Sequence, residues 1–166
     1  GARFLNTEVA AALGTFLDRC PEVCVVHQCG EGREAEARGS YGNRERARVV
    51  PFIENVAKAL EEADLVISRA GATTIAELTA MGVPAALIPF PQASDNHQEH
   101  NALAMERSGG ARLFVQALFD PAELLGWLES LRSEPGRLAA LAAGSRAMGR
   151  PDAAAAVIDV CREVAR

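Results

Sequence analysis

Short runs of apolar and β-branched residues alternate along this chain with stretches whose apolar positions recur at helical spacing. The short runs are Val23 to His27, Arg48 to Pro51, Leu65 to Ser68, Ala85 to Ile88 and Ala111 to Val115. Their length and composition predict strands. Between them, helical patterning covers Phe4 to Arg19, Glu31 to Tyr41, Asn55 to Ala63, Thr73 to Met81 and Gln98 to Ser108. Strand and helix in strict alternation predict an α/β fold with a parallel sheet, because parallel strands need a crossover, usually helical, between them.

After Asp120 the pattern is helical only, over Pro121 to Leu131, Gly136 to Met148 and Pro151 to Val164. Asp120 and Pro121 read as an N-cap and first-turn pair. The alanine runs 139 to 143 and 153 to 156 favour helix and close helix packing. With no repeat and no low-complexity linker, residues 1–166 are expected to form one domain, with 120–166 a helical tail packed on it.

Composition fits this picture: 49% of the 166 residues are hydrophobic and 23% charged, as in an ordinary globular domain. The net charge of −5 supplies no basic field for a polyanion, which argues against nucleic acid as a partner. The apolar stretch Val83 to Phe90 is far shorter than the ~20 residues of a membrane-spanning helix, and Pro84 and Pro89 interrupt it. No secretory pattern opens the chain, and Gly1 is expected to lie inside a longer protein rather than at its natural start. Cys20, Cys24, Cys29 and Cys161 lack the CxxC spacing of metal and redox motifs. Cys24 sits in an apolar run and is expected to act as a small buried hydrophobe.

Two segments carry candidate chemistry. In Asp64 to Glu77 an apolar strand enters the small-residue turn Arg69-Ala70-Gly71-Ala72, and a helix starts at once. Helix starts have backbone N–H groups without intrahelical partners and a positive dipole end, so a phosphate can bind there. Gly71 and Ala72 keep side chains clear, and Thr73 and Thr74 lie in the first turn. Glu77 follows one turn later on the same face, where its carboxylate would suit a ribose diol. The same residues also fit a plain capped helix, with Thr73 or Thr74 as cap and Glu77 complementing the dipole.

The second segment, Pro89 to Ala102, is a proline-bounded loop after a strand that passes into a helix. Loops beyond strand C-termini are where open α/β sheets bind ligands. Gln98 and Asn101 share a helical face, and their amides suit the hydroxyls of a neutral sugar, with His97 beside them. Here too a bland reading exists, with Asp95 or Asn96 as cap and the rest solvated. A metal site built on Asp95, His97 and His100 is disfavoured by the neutral amides in the cluster. No GxSxG elbow, P-loop or GxGxxG fingerprint occurs.

Arg69-Ala70-Gly71-Ala72-Thr73-Thr74-Ile75-Ala76-Glu77-Leu78, then Gly82-Val83-Pro84-Ala85, then Asp95-Asn96-His97-Gln98 with Asn101-Ala102, resemble the C-terminal domain of the MurG family in glycosyltransferase family 28. The resemblance runs over nearly the whole chain. It implies a Rossmann-like doubly wound parallel sheet, the C-terminal half of a GT-B transferase. It also implies the activity: inverting transfer of N-acetylglucosamine from UDP-N-acetylglucosamine, converting lipid I to lipid II in peptidoglycan synthesis, without metal or other cofactor.

By motif match, Glu77 would hold the ribose, Gln98 and Asn101 the sugar hydroxyls, and the backbone around Gly71, Ala72, Thr73 and Thr74 the phosphates, with His97 adjacent. Ile53 and Val56, in Phe52-Ile53-Glu54-Asn55-Val56, would meet the uracil. One departure is Asn96, where many relatives carry a second Asp. Another is that only Gly1-Ala2 remain of the family's glycine-rich phosphate loop, and the strand before that loop is missing. In a doubly wound sheet that strand is central, so the sheet is expected to be interrupted there or completed by another segment.

No catalytic residue is expected in this chain. The lipid-linked acceptor, the catalytic base and the membrane contact would belong to an absent N-terminal domain of a parent enzyme held peripherally on the cytoplasmic face of the inner membrane. Other readings are a family 28 domain for a different UDP-sugar, a noncatalytic nucleotide-sugar-binding subunit of a split transferase, and a sugar-nucleotide epimerase or plain binding module.

Overall fold

In the computed structural model, residues 3–93 and 96–164 are described. A π-helical turn, Leu5–Val9, leads into α1 (Ala10–Arg19), followed by β1 (Val25–Gln28), α2 (Glu34–Tyr41), β2 (Ala47–Val50) and α3 (Val56–Glu61). Then come β3 (Val66–Ser68), α4 (Ala72–Met81), β4 (Ala85–Leu87), α5 (His97–Arg107) and β5 (Ala111–Leu113). A 3-10 turn, Gln116–Leu118, precedes α6 (Pro121–Ser133), α7 (Arg137–Met148) and α8 (Ala153–Val164). Every strand and helix expected from the sequence is present, with ends moved by three residues or fewer.

The strands form two separate parallel sheets, ordered β1-β2 and β3-β4-β5. An interrupted doubly wound sheet was the expectation, and pairing divides between the second and third strands of the chain. Two compact units follow the same division: Gly1–Ala59 with Phe114–Pro135, and Leu60–Leu113 with Gly136–Arg166.

In the first unit, α1 buries Ala10, Ala12, Leu13, Phe16 and Leu17, and α6 buries Leu124, Leu125, Trp127, Leu128 and Leu131. Phe114 meets Trp127 edge-on, with centroids 5.7 Å apart. Arg46 donates to the carbonyls of Cys20 at 2.7 Å and Val23 at 2.9 Å, and also to Leu17. A cation thus meets the negative end of α1 and satisfies carbonyls the helix leaves open.

The second unit is built on β4, whose three residues are all buried. Ala70, Ile75, Leu78, Val83, Ala85, Leu87, Ala102, Met105 and Ala111 form its core. Helix α7 packs on α4 and β5. Its buried Ser145 hydroxyl lies 3.2 Å from the Leu78 carbonyl and 2.9 Å from that of Val83. No residue of α8 is buried.

Two local expectations need correction. Cys24 is exposed, not buried. It lies one residue before β1, whose side chains alternate between partly buried and exposed, so the apolar run does not enter the core as a block. The buried thiols are Cys20 and Cys29, and all four cysteines are free. The first helix is not uniformly α: it opens through the π turn in which Asn6 is wholly buried. Such widened turns insert a residue and re-aim side chains.

Candidate functional site

In the second unit, β3 ends at Ser68 and Arg69 to Gly71 turn into α4. Gly71 is the N-cap, with extended backbone and no side-chain cap bond. The reading of Thr73 or Thr74 as the cap therefore does not apply. Among the described residues, the first-turn N–H groups of Ala72, Thr73 and Thr74 bond to no acceptor outside the helix, and a first turn offers them none within it. Ala72 and Thr73 are exposed, Thr74 is half-buried, and Glu77 is exposed one turn on.

The second candidate segment is tied to this turn through side-chain amides on α5. Gln98 Oε1 accepts the N–H of Phe90 at 3.0 Å and that of Ala70 at 3.3 Å. Asn101 Nδ2 donates to the Ala70 carbonyl at 3.0 Å. Half of each amide is thus spent on backbone, leaving the Gln98 NH2 group and Asn101 Oδ1 available to a ligand. His97 opens α5 and is exposed. Asn96 precedes it with φ 51°, a left-handed conformation asparagine tolerates, and makes no side-chain cap bond.

Arg69, assigned no role by the sequence, completes the clamp. Its Nη1 donates to the carbonyls of Ile88 at 3.0 Å and Pro89 at 3.1 Å, and the guanidinium lies 5.5 Å from the Phe90 ring centroid. Burial lowers its pKa from the usual value. A cation directly after an apolar strand was the available signal.

In the first unit, Ile53 and Val56 follow the C-terminal end of β2. Phe52 is 67% exposed, Ile53 half-buried and Val56 exposed. Ile53 donates its N–H to Gln28 Oε1 at 3.0 Å, and Asn55 Oδ1 caps α3 by accepting from Lys58 N at 2.9 Å. Beside Gln28 is a buried polar chain that sequence reading missed. Asn6 Nδ2 donates to the Cys29 carbonyl, Asn6 Oδ1 pairs with His27 Nε2, and His27 Nδ1 pairs with the Tyr41 hydroxyl, each at 2.9 Å. Because Asn6 Oδ1 only accepts, His27 carries its proton on Nε2 and Tyr41 donates to Nδ1. Burial lowers the His27 pKa and raises that of Tyr41.

Gly1, Ala2 and Asp95 lie outside the described residues. Among the described residues no group of three His, Cys, Asp or Glu is placed to hold a metal, and no helix is long and apolar enough to cross a membrane.

Open N–H donors at a helix start, beside amides with free donor and acceptor ends, suit a ligand with a phosphate next to hydroxyls. The glycosyltransferase family 28 C-terminal domain matches residues 1–157. The chain belongs to this family.

A Sorangium cellulosum (strain So ce56) protein is 44% identical over 169 residues, covering 100% of this chain and 42% of that protein. One from Alkalilimnicola ehrlichii (strain ATCC BAA-1101 / DSM 17681 / MLHE-1) is 45% identical over 170 residues, covering 100% and 46%. Both are named UDP-N-acetylglucosamine--N-acetylmuramyl-(pentapeptide) pyrophosphoryl-undecaprenol N-acetylglucosamine transferase. The crystal structure of Acinetobacter baumannii MurG superposes with a TM-score of 0.84 at 32% identity, covering 98% of this chain and 49% of that one. The chain therefore spans about half the length of the relatives it matches, and this family 28 domain has the α/β fold of GT-B transferases.

Proposed function

We propose that this chain is the UDP-N-acetylglucosamine-binding domain of the inverting N-acetylglucosaminyltransferase that converts lipid I to lipid II. The observation that carries the reading is the clamp of Arg69, Gln98 and Asn101, which ties the glycine turn before α4 to the backbone of Ile88, Pro89 and Phe90. The names of relatives at 44% and 45% identity supply the sugar and the acceptor.

In this reading the N–H groups of Ala72, Thr73 and Thr74 receive the diphosphate and take up the charge that grows on departing UDP, a task that needs no metal. Gly71 leaves the approach clear. Glu77 accepts from the ribose hydroxyls. Gln98 donates to, and Asn101 accepts from, hydroxyls of the sugar, with His97 at the rim. Ile53 and Val56 meet the uracil, and Gly1 and Ala2 belong to the phosphate loop.

The lipid-linked acceptor and the catalytic base belong to the other half of the whole enzyme. That half carries the membrane contact on the cytoplasmic face, and this chain alone transfers no sugar. Residues 1–166 act as one donor domain, with 120–166 as its helical tail.

Calorimetric titration of the chain with UDP tests the core of this reading. A saturable one-to-one heat is expected, with UDP-N-acetylglucosamine displacing UDP more effectively than UDP-galactose. Absence of UDP binding overturns nucleotide recognition, and equal competition by the two sugars overturns the donor assignment.

A further inference from the structure

The ladder between β3 and β4 stops where its next two rungs would form. Val66 N donates to the Pro84 carbonyl at 3.0 Å and Ile88 N to that of Ser68 at 2.8 Å, in the register Val66↔Ala85 to Ser68↔Leu87. Parallel pairing carried further would take Ala70 N to the Ile88 carbonyl, then Phe90 N to the Ala70 carbonyl. Neither bond forms, and side chains engage all four groups instead. Gln98 Oε1 accepts from Ala70 N at 3.3 Å and from Phe90 N at 3.0 Å. Asn101 Nδ2 donates to the Ala70 carbonyl at 3.0 Å, and Arg69 Nη1 to the carbonyls of Ile88 at 3.0 Å and Pro89 at 3.1 Å.

The two strand ends are thus kept apart by side chains that stand in for backbone rungs, at the sheet edge where open α/β folds receive ligands. Ala70 and Ile88 are wholly buried, so their peptide groups need partners in either arrangement. Of the three side chains, only Arg69 engages the Ile88 carbonyl, the acceptor that the next rung requires. With that carbonyl taken, the Ala70 N–H goes to Gln98. Two donors then use both lone pairs of Gln98 Oε1, and the amide is left presenting its NH2. Removing Arg69 deprives a buried carbonyl of this donor, and the Ala70 N–H is next in register to replace it. An arginine suits the task, since its planar guanidinium bonds two successive carbonyls while lying 5.5 Å from the Phe90 ring centroid.

We infer that Arg69 is a positioning residue: it holds the β3–β4 ladder open beyond Ser68 and so fixes the sense in which Gln98 presents its amide. This rests on the proposed function for the ligand that Gln98 meets. It goes beyond that reading by making Arg69, which acts through backbone carbonyls and Gln98, a determinant of sugar preference.

The test combines two measurements on wild type, Arg69→Met and Arg69→Lys. Through-hydrogen-bond NMR couplings, read without ligand, report which acceptor each N–H uses. Calorimetry gives the ratio of dissociation constants for UDP-galactose and UDP-N-acetylglucosamine. In wild type, Ala70 N and Phe90 N are expected to couple to the Gln98 side-chain carbonyl carbon, and the sugar preference to be about tenfold, the scale of one hydrogen bond. In Arg69→Met the Ala70 coupling is expected to move to the Ile88 carbonyl carbon and the preference to vanish. Arg69→Lys, which keeps a donor for the carbonyls, is expected to retain the wild-type couplings and most of the preference.

An Ala70-to-Ile88 coupling in wild type overturns the inference at once, even if Arg69→Met does not fold. Wild-type couplings in Arg69→Met, or an unchanged sugar ratio, also overturn it and leave Arg69 as a brace for stability alone. Wild-type protein that binds no UDP overturns the donor-site reading, a separately visible result, while the couplings still decide whether Arg69 holds the ladder open.

Discussion

His27 is held neutral by its neighbours: Asn6 Oδ1 takes the proton on Nε2, and the Tyr41 hydroxyl occupies Nδ1. A second proton would force Tyr41 to turn its hydroxyl away and would place a charge in a site whose burial already lowers the His27 pKa. The folded-state pKa therefore lies below the unfolded value, and between the two the unfolded chain binds more protons. The stability supplied by neutral His27 is full above the unfolded value of ~6.5 and is lost as pH falls through the folded one. Urea unfolding from pH 8 to pH 5 is expected to show this loss, and His27→Gln, which does not titrate, should flatten that part of the profile. Asn6→Ala should cost about 1–3 kcal/mol for each buried group left without a partner, read at pH 8 by the same method. In α4, Glu77→Ala should weaken UDP binding by ~1–3 kcal/mol in calorimetry if its carboxylate holds the ribose, as proposed. Unchanged affinity would return Glu77 to a dipole-complementing role. Residue chemistry singled out Gly71, Gln98 and Asn101 because turn glycines and paired amides are local signals. It missed that Gln98 and Asn101 serve the backbone of Ala70 and Phe90 first, since those partners lie 8 to 31 residues away in sequence.

Elements were legible where burial was uniform. Ala85-Ala86-Leu87 is apolar on both faces and forms the fully buried β4, as a central parallel strand should. Cys24 was misread because β1 lies in a two-stranded sheet and alternates, a difference that depends on neighbours and not on the run itself. The packing of α7 was likewise hidden, because it depends on glycines whose value appears only on contact. A Cβ on Gly110 would come within 2.6 Å of Ser145 Cα, and one on Gly144 would strike the backbone of Ser108 and Gly109. Gly144→Ala is therefore expected to cost about 1–3 kcal/mol, the scale of overpacking, and to lower the melting temperature. Gly126 gives the opposite case. It lies within α6 with open space around its Cα, so Gly126→Ala should stabilise by about 0.5–1 kcal/mol through helix propensity. If both alanine variants melt alike, close backbone approach is not what seats α7.

At the scale of the whole molecule, α8 stands apart from the two cores. Ala153, Val157, Val160 and Val164 fall on one helical face, with Asp159, Arg162 and Glu163 on the other, yet Val157, Val160 and Val164 are 62%, 58% and 83% exposed. An amphipathic face of this kind stabilises a fold only when it is covered, and a 12-residue helix without tertiary packing is marginal in water. Ending the chain after Met148 should therefore remove no core, since Ser145 and the close-packed turns of α7 precede the cut. The melting temperature of the shortened chain is expected to stay within about 2 °C of the original, because a change of 1 kcal/mol already moves a domain of this size by about 2–4 °C. Solubility should rise as the exposed valines are removed. A larger fall that grows with protein concentration would mean that the α8 stripe is covered by a second copy in solution. A fall independent of concentration would mean that it packs within the chain.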